Sequence, residues 1–379
     1  MILTSIIITI CYLILIGSFA FGFDKIKVFK LEDIPAKTKF SIIIPFRNEA
    51  ENLPALLKSI LALNYQKALF EVIFVDDDSE DNSVEIIENY INERPFNQAD
   101  GDIRIISNER KTNSPKKDAI TTAIAQAKYE WIITTDSDCL LPNYWLDSFD
   151  EFIQKNDVNC IAAPVTYLEK ANFLNKFQVL DLLSLQGTTI GGFGIKKPFL
   201  CNGANFAYKK LLFIALNGFE GNTNTASGDD IFLLEKAAKL YPEQLHYLKC
   251  EHAIVLTHAQ PKLESLISQR VRWAAKTGNY NNWFGKLTGL IVLLENALII
   301  ALLLLTVIGN FNLKAFLYIL IIKINIDFFL IYKSAIFFNQ KGVLRSFILA
   351  FLAYPFFTMY VVFTSLFSSY KWKGRHFKK

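Results

Sequence analysis

From Ile2 to Phe23 the chain carries no charged side chain. About 22 residues at roughly 1.5 Å of rise each cover a hydrocarbon core of about 30 Å. A helix satisfies its own backbone polar groups in lipid, so the stretch predicts a membrane span. A cleaved leader would pair a basic start with an apolar core of about 7 to 15 residues. Here no basic residue precedes Asp24 and no small-x-small cleavage site stands out, so a retained anchor is expected. Three more apolar stretches follow: Leu287 to Ile308, Ala315 to Phe337 and Phe347 to Phe367. They carry Glu295, then Lys323, Asp327 and Lys333, then Pro355. Such residues predict packing inside a bundle, or a re-entrant segment for at least one stretch.

Basic residues mark the cytoplasmic side of a span. Lys25, Lys27, Lys30, Lys37 and Lys39 follow the first one, which places the intervening soluble block of about 260 residues in the cytosol. The Lys341 to Arg345 loop agrees, whereas the tail "KWKGRHFKK" conflicts with four full crossings. The expectation is that the Pro355 segment does not fully cross. A net charge of +4, concentrated beside apolar stretches, points to lipid headgroups and away from nucleic acid. Five cysteines, at positions 11, 139, 160, 201 and 250, show no C-x-x-C spacing, as expected for reduced thiols in a cytosolic domain.

The soluble block opens with "FSIIIPFRNEAENLPALLKSILALN", a short β-branched run, a loop and then apolar positions at helical spacing. "FEVIFVDDDSEDNSVEIIENYI" repeats that order, with Val84, Ile87 and Ile91 on the helix. "DIRIIS" and "WIITTDSD" add two strands around a polar stretch that leads into a helix. Strands alternating with helices predict a mostly parallel α/β sheet, which binds ligands beyond the carboxyl ends of its strands. Arg47 and Glu49, Asp76 to Asp78, and Asp136 with Asp138 all fall at such ends.

Side chains at i and i+2 of an extended segment share a face, so Asp136 and Asp138 repel each other unless a cation or solvent intervenes. Mg²⁺ or Mn²⁺ takes carboxylate together with phosphate oxygens, so the pair reads either as a solvated turn or as a metal site facing a diphosphate. An aspartyl-nucleophile phosphatase also uses two such acids, with Thr or Val shortly after, where this chain has "DSDCL". Asp78, Ser79 and Asp81 read equally as turn and cap residues, while Asp76 and Asp77 sit nearer the strand end, where a carboxylate can bind base or ribose. Asp229 and Asp230 open a predicted helix; they either complement its dipole or supply a general base. "LESLISQRVRWAAKTGNY" predicts an amphipathic interfacial helix, with Gln269, Arg272 and Trp273 within about one turn. "FLCNGANFAYKK" reads as a small-residue turn, with or without a ligand beside it.

Taken together, these stretches resemble the family 2 inverting glycosyltransferases of the GT-A fold, in the membrane-bound branch that includes cellulose-synthase-like and ceramide-glucosyltransferase-like enzymes. The resemblance covers roughly residues 40 to 285 and the flanking spans. It implies an α/β, Rossmann-like, mostly parallel sheet flanked by helices, with one N-terminal and two to three C-terminal transmembrane helices. It further implies that Pro45, Glu49, Asp76 and Asp77 lie near the nucleotide. "SPKKDAI" is similar to the family's Lys-x-x-Ala element and points to Lys117 or Lys116 as another donor contact. "DSD" is similar to the metal-binding Asp-x-Asp, which implies Mg²⁺ or Mn²⁺ on Asp136 and Asp138. "GDD" is similar to the Glu-Asp base motif, with Asp229 for Glu and Asp230 as base. "QRVRW" matches Gln-x-x-Arg-Trp at Gln269, Arg272 and Trp273, implying contacts to acceptor or diphosphate. Pro115 departs from the glycine usual before the lysine.

The expected organisation is an anchor over 1–24, a cytosolic GT-A domain over 25–262, an interfacial region over 263–286, a membrane region over 287–370 and a basic tail over 371–379. The expected activity is sugar transfer from a nucleotide-diphosphate sugar to a lipid-linked or glycan acceptor, in the plasma membrane of a bacterium among membrane lipids and without nucleic acid. A processive polysaccharide synthase is the near alternative. A scaffold or transporter that merely binds nucleotide sugars is the distant one, kept open by Glu295, Lys323 and Asp327.

Overall fold

The computed structural model describes residues 2–92, 102–223, 228–276, 281–367, 370–372 and 375–377. In chain order the elements begin with α1 (Ile2–Lys25), β1 (Phe40–Phe46), α2 (Leu53–Leu61), β2 (Phe70–Asp76), α3 (Ser83–Asn92), β3 (Asp102–Ser107), α4 (Pro115–Gln126) and β4 (Trp131–Thr134). Next come α5 (Trp145–Lys155), β5 (Cys160–Ala162), β6 (Val165–Tyr167), α6 (Phe173–Gly194), β7 (Phe206–Lys209), α7 (Lys210–Ala215), α8 (Asp229–Leu240), β8 (Leu245–Tyr247) and β9 (Val255–Thr257). The chain continues through α9 (Leu263–Lys276), α10 (Trp283–Val307), α11 (Leu313–Phe337) and α12 (Phe347–Phe367) to a hairpin of β10 (Tyr370–Trp372) and β11 (Arg375–Phe377). These elements form two units. A helical one comprises Met1–Ile26, Tyr167–Leu200 and Ala259–Lys379; a sheet-bearing one comprises Lys27–Thr166 and Cys201–His258.

The sheet unit holds seven strands in the order β3-β2-β1-β4-β7-β5-β8. The pairs β1/β2, β1/β4 and β2/β3 are parallel, as the alternation of strands and helices requires, while β7 runs antiparallel to β4 and β5. β1 and β2 are β-branched and aromatic runs buried on both faces, the pattern of a sheet covered by helices on each side. Leu53, Leu56, Leu57 and Ile60 of α2 join Trp145 and Phe149 of α5 against Phe40, Ile42, Phe74 and Ile133 in one core. Register sets the functional edge: Phe46 pairs with Asp76 and Asp76 with Ser107, so the strand ends line up. Glu71, in the middle of β2, is fully buried and accounted for structurally, accepting from Ser41 Oγ at 2.5 Å and from Arg104 at 3.0 Å.

In the helical unit, α1, α10, α11 and the stretch Lys341–Phe367 are each long and apolar enough to cross a membrane. Thus three C-terminal helices qualify by length and composition, and α12 runs as one helix through Pro355. α1 is the most enclosed of the four. It is stapled along its length: Thr9 donates to Glu295 at 3.3 Å, Tyr12 to Asp327 at 2.6 Å, and Lys333 to the Ala20 carbonyl at 3.3 Å and to Asp24. Lys323 closes the set on Asp327 at 2.6 Å. The charged residues of the apolar stretches therefore meet partners inside the bundle, as apolar surroundings demand. α6 belongs to this unit as well, although the sequence boundaries leave it within the soluble block. A Cβ on Gly191 or Gly194 would collide with the backbone of Phe19 or Gly22, so the glycines let α6 and α1 touch main chain to main chain.

Candidate active site

The carboxyl edge of the sheet gathers the acids. After β1, Arg47 turns across the rim and donates to the Asp77 carbonyl at 2.8 Å while pairing with Glu80 at 2.6 Å. After β2, the Asp76 carboxylate caps Ser79 N–H at 3.0 Å, and Asp81 accepts from Ala50 and Ser83 N–H at 3.1 and 3.0 Å. Asp81 and Ser79 are thus turn and cap residues, whereas Asp77 is 6 % exposed and turned toward the segment after β3. There Asn108 and the Arg110 Nε each donate to Asp77 Oδ1 at 2.7 Å. Glu49 accepts from Asn52 at 2.6 Å, and Pro45 lies inside β1 opposite Val75.

Asn108 also donates to the Pro115 carbonyl at 3.0 Å, which ties the Asp77 group to the first turn of α4. Two adjacent lysines stand there. Lys116 Nζ reaches Asp136 Oδ1 at 2.7 Å and Asp229 Oδ2 at 3.4 Å, bridging the turn after β4 and the start of α8. Burial works against its charge, but Asp136 and then Asp229 outweigh that and raise its pKa. Lys117 is buried, donates to the Asn222 carbonyl at 2.7 Å and lies over the Phe232 ring at 4.7 Å. Burial lowers its pKa to about 8 against the pull of Asp229 and Asp230. Of the two adjacent lysines, Lys116 is the one that stands three residues before Ala119, and it pairs with Asp136 and Asp229 of the rim.

Asp136 and Asp138 are half-buried while Ser137 and Cys139 between and beyond them are buried; the Asp136 carbonyl accepts from Cys139 N–H at 3.2 Å, so the segment after β4 is a turn and not the extended stretch that the spacing argument assumed. Thr134 Oγ1 donates to the Gly203 carbonyl at 2.8 Å, and Gly203 N–H donates to Asp230 Oδ2 at 2.9 Å. A Cβ at Gly203 would sit 3.0 Å from Asp229 Oδ2 and 3.5 Å from Lys116 Nζ, so a larger residue there would press on the Asp229 carboxylate. Asn205, in the same turn, is structural: it accepts from Trp145 Nε1 at 2.9 Å and donates to the Pro164 and Ala253 carbonyls. Burial pushes the Cys201 thiol well up, with Asp230 adding to it. Sequence reasoning missed Asn108 and Arg110, for which the polar run "NERKTN" was a faint signal, and named Gly203 only as part of a small-residue turn.

Among the described residues no three His, Cys, Asp or Glu side chains gather into a metal-holding group. The donor chemistry of Asp136 and Asp138 nevertheless fits Mg²⁺ or Mn²⁺, which takes one or two carboxylates and completes its shell with water and substrate phosphates. Such an ion would compete with Lys116 for Asp136. Gln269, Arg272 and Trp273 lie on α9 in the helical unit, each half-buried.

Comparison with known proteins bears on the family and the fold. Residues 41–213 match the sequence profile of "Glycosyl transferase family 2". Poly-beta-1,6-N-acetyl-D-glucosamine synthase of Staphylococcus epidermidis is 27% identical over 152 residues, covering 39% of this chain and 33% of that protein. Cholesterol galactosyltransferase of Borreliella burgdorferi is 37% identical over 108 residues, covering 28% and 27%. The matched stretch thus spans about a third or less of either relative. Among solved structures, the mannosyltransferase PcManGT of Pyrobaculum calidifontis, in complex with GDP-Man and Mn²⁺, superposes with a TM-score of 0.57 at 15% identity over 96% of this chain and 98% of that one. Residues 41–213 are thus a glycosyl transferase family 2 domain, and the fold is of the GT-A type.

Proposed function

We propose that the protein is an inverting glycosyltransferase that moves a sugar from a nucleoside-diphosphate donor to a hydroxyl of a lipid-linked or glycan acceptor at the cytosolic face of a bacterial plasma membrane. The observation that carries this reading is the convergence of Asp136 and Asp229 on the Lys116 ammonium, with Asp230 alongside on the Gly203 N–H. Acids crowded on one sheet edge and held by a cation are what a diphosphate-binding, proton-accepting site requires. The relatives that act on glycans and on cholesterol, and the GDP-Man and Mn²⁺ bound to PcManGT, support the donor class and the acceptor range.

Asp77, with Asp76, Pro45 and Glu49 nearby, receives the nucleoside, and the Asn108 and Arg110 bonds fix its carboxylate beforehand. Asp136 and Asp138 would hold Mg²⁺ or Mn²⁺, whose charge offsets that developing on the departing diphosphate. Lys116 sits ready to pair with the same phosphates, and Lys117 fixes the first turn of α4 behind it. Asp230 takes the acceptor's proton as the acceptor oxygen bonds to the anomeric carbon. The bond from that carbon to the diphosphate breaks in the same displacement, and the nucleoside diphosphate leaves with its electron pair. Attack opposite the leaving group inverts the centre. Asp229 keeps Lys116 in place, and Gln269, Arg272 and Trp273 serve acceptor and diphosphate.

Purified protein supplied with UDP-glucose, UDP-galactose, UDP-N-acetylglucosamine or GDP-mannose and a lipid extract should release nucleoside diphosphate in a Mn²⁺- or Mg²⁺-dependent manner. Asp230→Asn should lose about 10² to 10⁴-fold in turnover, the usual worth of a positioned general base, and Asp138→Ala should lose metal dependence along with rate. Full turnover by Asp230→Asn would remove the base assignment. The similarity to a polysaccharide synthase favours a second reading, processive elongation. A ladder of products in place of a single addition would select it.

A further inference from the structure

The helix that bears Gln269 and Trp273 is mounted on α6 by groups that no part of the proposed chemistry uses. Gln178 of α6 is fully buried and exchanges two hydrogen bonds with the segment entering α9, donating to the Gln260 carbonyl at 3.0 Å and accepting from Gln260 N–H at 2.8 Å. One turn further along the same face of α6, Asp181 receives Arg270. The guanidinium is 7 % exposed; its Nε donates to Asp181 Oδ2 at 2.8 Å, and Nη2 lies 2.7 Å from the same oxygen as an ion-pair contact. Its remaining arm, Nη1, donates to Gln269 Oε1 at 2.6 Å. Its central carbon lies 4.1 Å from the centroid of the Trp273 ring.

These contacts have a directional result. A guanidinium only donates, so the Gln269 atom facing it must be the carbonyl oxygen, and the amide nitrogen is the part left to meet a ligand. Gln269 is thereby a donor, suited to phosphate or hydroxyl oxygens. One face of the Trp273 indole is covered by the same cation, which restricts the ring to one orientation. Arg270 occupies a variable position of Gln-x-x-Arg-Trp, yet it reaches both the first and the last residue of the motif.

We infer that Arg270, seated on Asp181, is a positioning residue that sets the Gln269 amide as a hydrogen-bond donor and fixes the Trp273 indole. The inference rests on the proposed assignment of Gln269 and Trp273 to acceptor and diphosphate. It predicts that the planar fork matters beyond its charge, because lysine keeps the ion pair with Asp181 and has neither a second arm for Gln269 nor a flat face for Trp273.

The test uses the full chain in detergent and whichever of the four nucleotide sugars above gives the most diphosphate release. Arg270→Lys should melt like the parent, lose about tenfold in kcat/KM, chiefly through KM for the donor, and shift the Trp273 emission, isolated by subtracting the spectrum of the matching Trp273→Phe background. The double variant Asp181→Leu with Arg270→Met removes the buried charges together and should show the same kinetic loss. Should the double variant fail to fold, Arg270→Lys decides alone. Parental kinetics and unshifted Trp273 emission in Arg270→Lys would overturn the inference. Parental transfer by Gln269→Ala and Trp273→Ala would instead overturn the assignment on which it rests, whatever Arg270 does.

Discussion

Two neighbouring lysines show how far a single side chain can be read from sequence. Lys116 and Lys117 are neighbours in "SPKKDAI"; only Lys116 stands three residues before Ala119, but helical phase decides which one faces the rim and no residue in that stretch fixes the phase. The fold separates them: one bridges Asp136 and Asp229, the other is buried against Phe232. Lys117, with its pKa lowered by burial to about 8, then makes a signed prediction. Between about pH 8 and the ordinary lysine range near 10.4, the unfolded chain keeps a proton that the folded chain has lost. Folding stability contributed by this group therefore rises across that window. Lys117→Met should remove the rise, so the difference in melting temperature between variant and parent should shift in the parent's favour from pH 7.5 to pH 10. A difference independent of pH would contradict the burial argument. Asp136 and Asp138 were legible as a pair from their spacing, whereas their link to Asp229 was not, since it spans much of the sheet unit and passes through Lys116.

Among the elements, β1, β2, β3 and β4 follow from β-branched runs ending in polar turns, and α9 from its amphipathic spacing; all appear where the pattern puts them. α6 escaped because an apolar helix with one acid reads alike in a soluble core and among spans. Its glycines hold the information, but only once α1 lies against them. Replacing Gly191 with Leu should force α6 and α1 apart. The protein should then melt several degrees lower in detergent, or fail to accumulate, at a cost typical of overpacked contacts of about 1 to 3 kcal/mol or more. The same substitution at Gly289, where nothing lies within 4 Å of an added Cβ, should be tolerated and serves as the control. Equal melting of the two variants would show that the close approach is dispensable.

At the scale of the molecule, the helical unit is assembled from three separate lengths of chain and the sheet unit from two. Hydropathy along the sequence does not reveal this, because it sees neighbours in order and not those brought together by folding. Residues 27–258 made alone should aggregate, since they present α6 without α1 and α11. The same fragment with residues 167–200 replaced by a Gly-Ser linker should stay monodisperse and melt cooperatively by light scattering and calorimetry. Aggregation of both would show that the sheet unit needs the helices for its own stability. The interleaving also bears on how the protein is made. Gly187 of α6 packs closely against Leu330 and Ser334 of α11, which leave the ribosome long after it. During translation that apolar face is born without its neighbour and stays uncovered by α11 until the later helices arrive.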